Sequence, residues 1–218
     1  MATIAHLAEK TIAEKPFLQE ALYRRLINYQ ALAEDLAPGI EKELGKPVKP
    51  GTVMVAIRRY ADKLEKMDVP KVAFGKECCI DVKSKVVEIS LKRSKTLFQL
   101  VPKLFEQVDF EEGGILNFTT GNQDVSIITN SKHADIFLHL LKGENILEVN
   151  ADLVALSMKY PKTFRSVPGT LHHMIRVLAW EHVNIVELIE TMTETIFILD
   201  EDDAMKAFKA LQKLIQSP

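Results

Sequence analysis

The sequence has two cysteines, and they are neighbours, Cys78 and Cys79 in "ECCIDV". Adjacent cysteines rarely bridge each other and make no metal set alone, so the pair reads as part of a strand in a reduced protein. No run of about 18 apolar residues is present, which excludes a membrane-spanning helix. The start, "MATIAHLAEKTIAEKP", lacks the basic opening and apolar centre of a signal peptide. The expected location is the cytoplasm, with no membrane partner. No GxGxxG or P-loop opens a nucleotide site, and neither GxSxG nor HExxH occurs. His172, His173 and His182 do not fall at metal-ligand spacing, and surface titration is the plainer reading. Glu187, Glu190, Glu194 and the run Asp200 to Asp203 lack a partner base or metal frame; they read as helix caps and a loop. No catalytic residue, metal or cofactor is assigned, and no enzyme is expected.

What remains is an ordinary globular composition. With 218 residues, 47% hydrophobic and 27% charged, the chain suits one large domain or two small ones. The net charge of −2 divides unevenly: residues 1–71 carry +2 and the remainder −4. No low-complexity segment interrupts the chain. "MDVPKVAFGKE", around Pro70 and Gly75, is the best boundary, giving domains 1–71 and 72–218.

Before that boundary, "FLQEALYRRLINYQALAEDLAPGIEKELGKPVKPGTVMVAIRRYADKLEKM" divides at Asn28, at Gly45 to Pro47 and after Met67 into three helical segments. Leu32, Leu36, Ile40 and Leu44 fall four apart; Val53, Ala56, Ile57, Tyr60 and Leu64 form one face of a segment opened by Pro50. The opposite face of that segment carries Thr52, Val55, Arg58, Arg59, Asp62, Lys63 and Lys66. An exposed valine beside a hydroxyl and two arginines suits a helix meeting base edges and phosphates. The segment resembles a helix-turn-helix or winged-helix module, with residues 29–44 as supporting helix and 50–66 as reading helix. That resemblance implies Thr52, Val55, Arg58, Arg59 and Lys63 as DNA contacts. A solvated face on a packing helix is the other reading, since Asp62 and Glu65 would repel phosphate. "CCIDVKSK" would be a wing or the first strand of a sheet.

After Gly75 the period alternates. "KVVEISLKRS" places Val87, Ile89 and Leu91 on one strand face, and "TLFQLVPKLFEQV" returns to helical spacing. "GGILNFTTGNQDVSIITNSK" holds a hairpin signal at Gly121-Asn122, "HADIFLHLLK" is a second helix, and "ENILEVN" a closing strand. The order strand, helix, strand, strand, helix then recurs in "DLVALSMKY", "PGTLHHMIRVLAWEH", "NIVELIETMT", "TIFILDED" and "AMKAFKALQKLI". The second round lacks a closing strand and would take one from elsewhere, such as the run before Lys92. Units of about 84–149 and 150–218 result. The fold class is α+β: an N-terminal helical, winged-helix-like module, then tandem ferredoxin-like βαββαβ units with helices on one face of an antiparallel sheet.

The stretch "VPGTLHHMIRVLAWEHVNIVELIETMTETIFILDEDDAMKAFKALQKLI" resembles an ACT domain, and is most similar to the last one in the tandem regulatory region of aspartate kinases. Pro168-Gly169 opening the helix, Asn184-Ile185 opening the next strand, the Thr and Glu run in "IETMTET", and Asp200 to Asp203 before the final helix carry the likeness. Residues 84–149 share only the order of elements. The resemblance implies binding of an amino acid or related carboxylate, sheet or helix pairing into a homodimer, and a ligand site at Pro168, Gly169, Thr170, Leu171, Asn184 and Ile185. Amides near Gly169, Thr170 and Leu171 would lie at a helix N-terminus, where a carboxylate is favoured. Asn184 would offer a donor and an acceptor to an α-amino acid. In the plainer account, Gly169 makes a turn and Asn184 ends a strand. The function expected is metabolite-responsive regulation, with double-stranded DNA as a candidate partner. The alternative is an ACT-type regulatory or scaffolding module that docks on a metabolic enzyme without binding DNA.

Overall fold

Four helices, one more than expected, lie within residues 3–64. Thr3 caps α1 (Ile4–Ala13) by accepting the His6 amide at 3.2 Å. Ile4, Leu7, Ala8 and Ile12 then follow the i, i+3, i+4, i+8 rule. Proline opens α2 (Pro16–Tyr23) at its first position, where no amide is needed. Asn28 starts α3 (Tyr29–Leu44), its Oδ1 accepting the Gln30 and Ala31 amides, and Gly45 stops it at φ 66°. Pro50 opens α4 (Pro50–Leu64). Leu7, Ile12, Leu22, Leu36, Ile40, Val53 and Ile57 meet in one core.

The computed structural model describes residues 3–64 and 74–216. Residues 65 and 66 of the expected reading helix, and the boundary segment as far as residue 73, lie outside the described residues. The chain falls into two units, residues 1–70 and 71–218.

"CCIDVKSK" is no wing. It begins β1 (Cys79–Lys92), the first strand of the second unit's sheet. There follow α5 (Lys95–Glu106), β2 (Leu116–Thr120), β3 (Asp124–Asn130), α6 (Ser131–Leu140), β4 (Ile146–Lys159), α7 (Thr170–Trp180), β5 (Glu187–Glu190), β6 (Glu194–Asp200) and α8 (Glu201–Gln216). The sheet is antiparallel throughout, in the order β2-β3-β1-β4-β6-β5.

"ENILEVN" and "DLVALSMKY", expected as two strands, are one strand of 14 residues, β4. It runs antiparallel to β1 almost end to end. Each long strand serves two halves. Residues 86–92 of β1 pair with β3, while residues 79–83 pair with 155–159 of β4 and supply the strand absent from the second round. The register slips between Lys83 and Val86 and again between Val86 and Glu88. Lys85 and Asp152, near these slips, have φ of 56° and 57°, so each strand carries a bulge that bends it and re-aims its side chains.

The bend folds the sheet back on itself. β3 and β5 are four places apart in the strand order, about 19 Å in a flat sheet at the usual strand spacing. Yet the Ser126 hydroxyl on β3 donates to Glu187 Oε2 on β5 at 2.5 Å. Val87, Ile89, Leu91 and Ile127 face α5 and α6, and Leu156, Met158, Phe197 and Leu199 face α7 and α8. A third core, Val86, Ile128, Leu153, Ala155 and Ile198, fills the space between the two halves. Past the bend, both faces of β1 and β4 are therefore buried, not one alone. Phe137 and Phe197 are wholly buried in the outer cores, where truncation of such a ring to alanine costs about 3–5 kcal/mol.

Candidate functional site

The strand before Pro168-Gly169 ends at Lys159, and a 3-10 turn (Lys162–Ser166) fills the interval. That turn shapes the site. A cavity of about 140 Å³ is lined by Tyr160, Phe164, Arg165, Val167, Gly169, Thr170, Leu171 and Glu190, room for roughly five waters at their liquid volume. Phe164 stacks on Tyr160, ring centroids 5.9 Å apart, and also meets Phe74. The Tyr160 hydroxyl bonds Thr195 Oγ1 at 2.9 Å. Burial, more than any neighbouring charge, raises the Tyr160 phenol above its ordinary pKa.

Gly169 caps α7 in the left-handed region, at φ 91°. The Thr170 hydroxyl turns away from any ligand, toward the carbonyls of Val167 (2.9 Å) and Phe164 (3.2 Å), and its one hydrogen, given to either, pins the turn to the helix. Past it, the Leu171 and His172 amides meet no acceptor among the described residues, as expected for the open N-terminal turn of a helix. Arg165 and Glu190 stand at the rim, both exposed. A cation, a carboxylate and a helix N-terminus around one small space suit a ligand carrying both charges.

The expected ligand residues do not all meet here. Gly169, Thr170 and Leu171 line the cavity; Pro168 is exposed beside it. Asn184 and Ile185 lie beyond the other end of α7, whose 11 residues span about 16 Å. Neither opens a strand, because β5 begins at Glu187. The Asn184 amide donates to Asp203 Oδ2 at 3.2 Å. Asp203 also takes the Lys206 ammonium at 2.7 Å; that bond first, then the Asn184 amide, lowers its pKa. Ile185 is half-buried against the second half's core. Sequence reasoning missed Tyr160, Phe164 and Arg165, which follow no period, whereas Glu190 lay within the Thr and Glu run already noted.

The corresponding helix start in the first half is closed. Ser94 accepts the Leu97 amide at 2.9 Å and donates to Glu144 Oε2 at 2.6 Å, so the chain sets its own carboxylate beside the N-terminus of α5.

No family model and no curated protein matches this chain. Solved structures do. The ligand-free regulatory subunit of aspartate kinase from Thermus thermophilus is similar over 64% of this chain and 99% of its own, at 15% identity and a TM-score of 0.51. Aspartate kinase from Clostridium acetobutylicum matches 68% of this chain and 37% of its own, at 16% identity and a TM-score of 0.54. For the Synechocystis aspartate kinase the shares are 78% and 32%, at 14% identity and a TM-score of 0.52. The likeness is one of fold: mixed helix and antiparallel sheet, as in the ACT-type regulatory domains of aspartate kinases. Among the described residues no helix is long and apolar enough to cross a membrane.

In the helical unit, Thr52, Val55, Arg58 and Arg59 are all exposed on α4, with Asp62 beside them. Arg58 and Arg59 have no ion-pair partner among the described residues. Lys63 is engaged: its ammonium meets Glu9 Oε1 at 2.5 Å and lies 5.9 Å from the Tyr60 ring centroid. The bond to Glu9 raises its pKa.

Proposed function

We propose that residues 71–218 sense a small α-amino acid or related carboxylate in the cavity at the start of α7, and that residues 1–70 convey its occupancy as a regulatory output. What carries the reading is the meeting of Arg165, Glu190 and Leu171, whose amide is free at the start of α7, around about 140 Å³. The ligand's carboxylate would take that amide and Arg165, and its ammonium Glu190. Leu171 and Phe164 would admit a short apolar side chain. The aspartate kinase regulatory fold supports the same reading. The protein has no catalytic role in it, and works in the cytoplasm.

The test is a thermal-shift and calorimetric screen of the full chain against the proteinogenic amino acids and small dicarboxylates. Binding that weakens at least tenfold in Glu190→Gln and in Arg165→Ala supports the site. A ligand that ignores both changes, or none in the whole panel, refutes it.

The output we infer is DNA binding through Thr52, Val55, Arg58 and Arg59 by a homodimer. The dimer would form through the second unit, where β2 and β5 end the strand order with one side unpaired. Lys63, held by Glu9, is the weakest of the five expected contacts. Two copies of α4 would have to enter successive major grooves about 34 Å apart. Light scattering that finds a monomer at micromolar concentration overturns the dimer. Genomic fragments unshifted at low salt, with ligand and without, favour a module that docks on an enzyme instead.

A further inference from the structure

The contact between the two halves of the folded sheet has an apolar core, Val86, Ile128, Leu153, Ala155 and Ile198, with a polar cluster beside it. There Glu88, Ser90, Ser126, Asn150 and Glu187 converge. Glu88 Oε1 meets the hydroxyls of Ser90 and Ser126, both at 3.2 Å, and its Oε2 takes Asn150 Nδ2 at 2.9 Å. Ser126 also reaches Glu187 Oε2 at 2.5 Å. A serine hydroxyl carries a single hydrogen, so it donates to one of these carboxylates and not to both. The other faces it lone pair to lone pair. Glu187 Oε1 is fully buried and meets no partner at all. Glu88 is only 9% exposed, and neither glutamate pairs with a Lys, Arg or His among the described residues.

Two carboxylates around one hydroxyl, Glu88 buried and Glu187 half-buried with one buried oxygen left over, lack positive charge. We propose that the cluster binds a hard divalent cation, which ties the halves together through Glu88, Glu187 and Ser126, with the amide oxygen of Asn150 turned toward it. Two unit negative charges match one divalent ion. The donors are all oxygen, the set preferred by Ca²⁺, Mg²⁺ and Mn²⁺ rather than by softer metals. No group of three or more His, Cys, Asp or Glu converges among the described residues, so the hydroxyl and amide oxygens are needed to complete the shell. Glu88 Oε1 and Glu187 Oε2 are at most the sum of the 3.2 and 2.5 Å legs through Ser126 apart, somewhat more than the about 4.8 Å that two calcium–oxygen bonds reach, so the two carboxylates must draw together on the ion. This inference is independent of the amino-acid cavity, in which neither carboxylate takes part.

The experiment uses the full chain, stripped with EDTA and dialysed, then melted with CaCl₂, MgCl₂ or MnCl₂ and with NaCl at equal ionic strength. A bound cation at a hundred times its dissociation constant should raise the midpoint by about 5–10 °C. Glu187→Gln and Ser126→Ala should abolish the rise; Glu106→Gln, an exposed carboxylate elsewhere, should keep it. Glu88→Gln is the harsher change, and the outcome does not depend on its folding. Divalent salts that act no differently from NaCl overturn the proposal, as does a rise that persists in Glu187→Gln. A third result would also overturn it: Glu187→Gln melting above wild type while calorimetry detects no cation in either. Loss of one carboxylate's charge would then settle the cluster by itself, and the cation would have no place.

Discussion

Lys85 and Asp152 hold the same place in two strands of equal length, and both are left-handed, at φ 56° and 57°. "CIDVKSKVVEISLK" and "ILEVNADLVALSMK" align over all 14 residues, and each is exposed before this residue and buried after it. The repeat is thus a repeat of the bend. One half of each strand belongs to one part of the sheet, and the other half crosses to the opposite part.

Neither residue is a glycine, so each bears left-handed strain of about 1–2 kcal/mol. Lys85→Gly and Asp152→Gly should be neutral or stabilising, the released strain offsetting the entropy lost by glycine. Lys85→Val and Asp152→Val should destabilise by about 1–2 kcal/mol, since β-branched residues fit this region worst. Urea denaturation followed through the second unit's transition measures both. If valine is tolerated as well as glycine, the bend does not depend on this conformation.

Gly169 predicts a different cause for a similar loss. A Cβ there would meet only His173 Cδ2, at 4.0 Å, so crowding is not the obstacle. Its φ of 91° is. Gly169→Ala should cost about 1–2 kcal/mol through backbone strain, and Gly169→Asn less, because asparagine visits left-handed conformations more readily. If alanine proves harmless, the turn relaxes to another backbone path, and the cavity wall it forms must move with it. A melt of each variant next to its ligand affinity separates the two effects.

Much of this fold was legible because its signals are local. The Gly121-Asn122 hairpin, the proline opening α4 and the helical spacing in α3 need no tertiary information. The doubly buried sheet did not announce itself: Val86 and Leu153 fall out of phase with Val87, Ile89 and Leu91, and only the bend explains why both phases are apolar. In α7 the buried face runs through Thr170, Met174 and Leu178, while the apolar Ile175 and Ala179 are exposed, so residue type alone does not mark the inward side. Half of the candidate site was legible for the same reason. Pro168-Gly169 marks a helix start from sequence alone, but Arg165 and Glu190 come together only once the 3-10 turn meets the end of β5.

His133 predicts how the protein responds to acid. It is buried at the start of α6, 6.2 Å from the Phe137 ring, and its Nε2 has no partner. Burial first, and then the neighbouring Lys132 charge, lowers its pKa below the ordinary 6.5. The unfolded chain therefore takes up this proton at a higher pH than the folded one. The stability contributed by neutral His133 is complete above pH 6.5 and is lost as pH falls through the lowered value. Denaturation midpoints of His133→Leu should fall less steeply than wild type below pH 6.5. Equal slopes would mean that His133 finds an acceptor when it is charged.

The exposed face of α4 predicts a separation between fold and function. Val53, Ile57, Tyr60, Ala61 and Leu64 hold the helix in its core, and Arg58 and Arg59 have no part in that contact. Replacing both arginines by alanine should leave stability within about 0.5 kcal/mol of wild type, as for surface positions in general. DNA binding, if α4 provides it, should weaken on every sequence and lose about one unit of salt slope per phosphate contact removed. Val55→Ala and Thr52→Ala should instead change which sequence is preferred, because short side chains on the groove-facing side meet base edges and not phosphates. Lys63→Ala is the internal control. Its ammonium is committed to Glu9 within the unit, so its loss should alter the salt slope less than loss of Arg58. Should all three basic residues matter equally, the Glu9 bridge must open on binding, and Glu9→Gln would then tighten the complex by freeing Lys63.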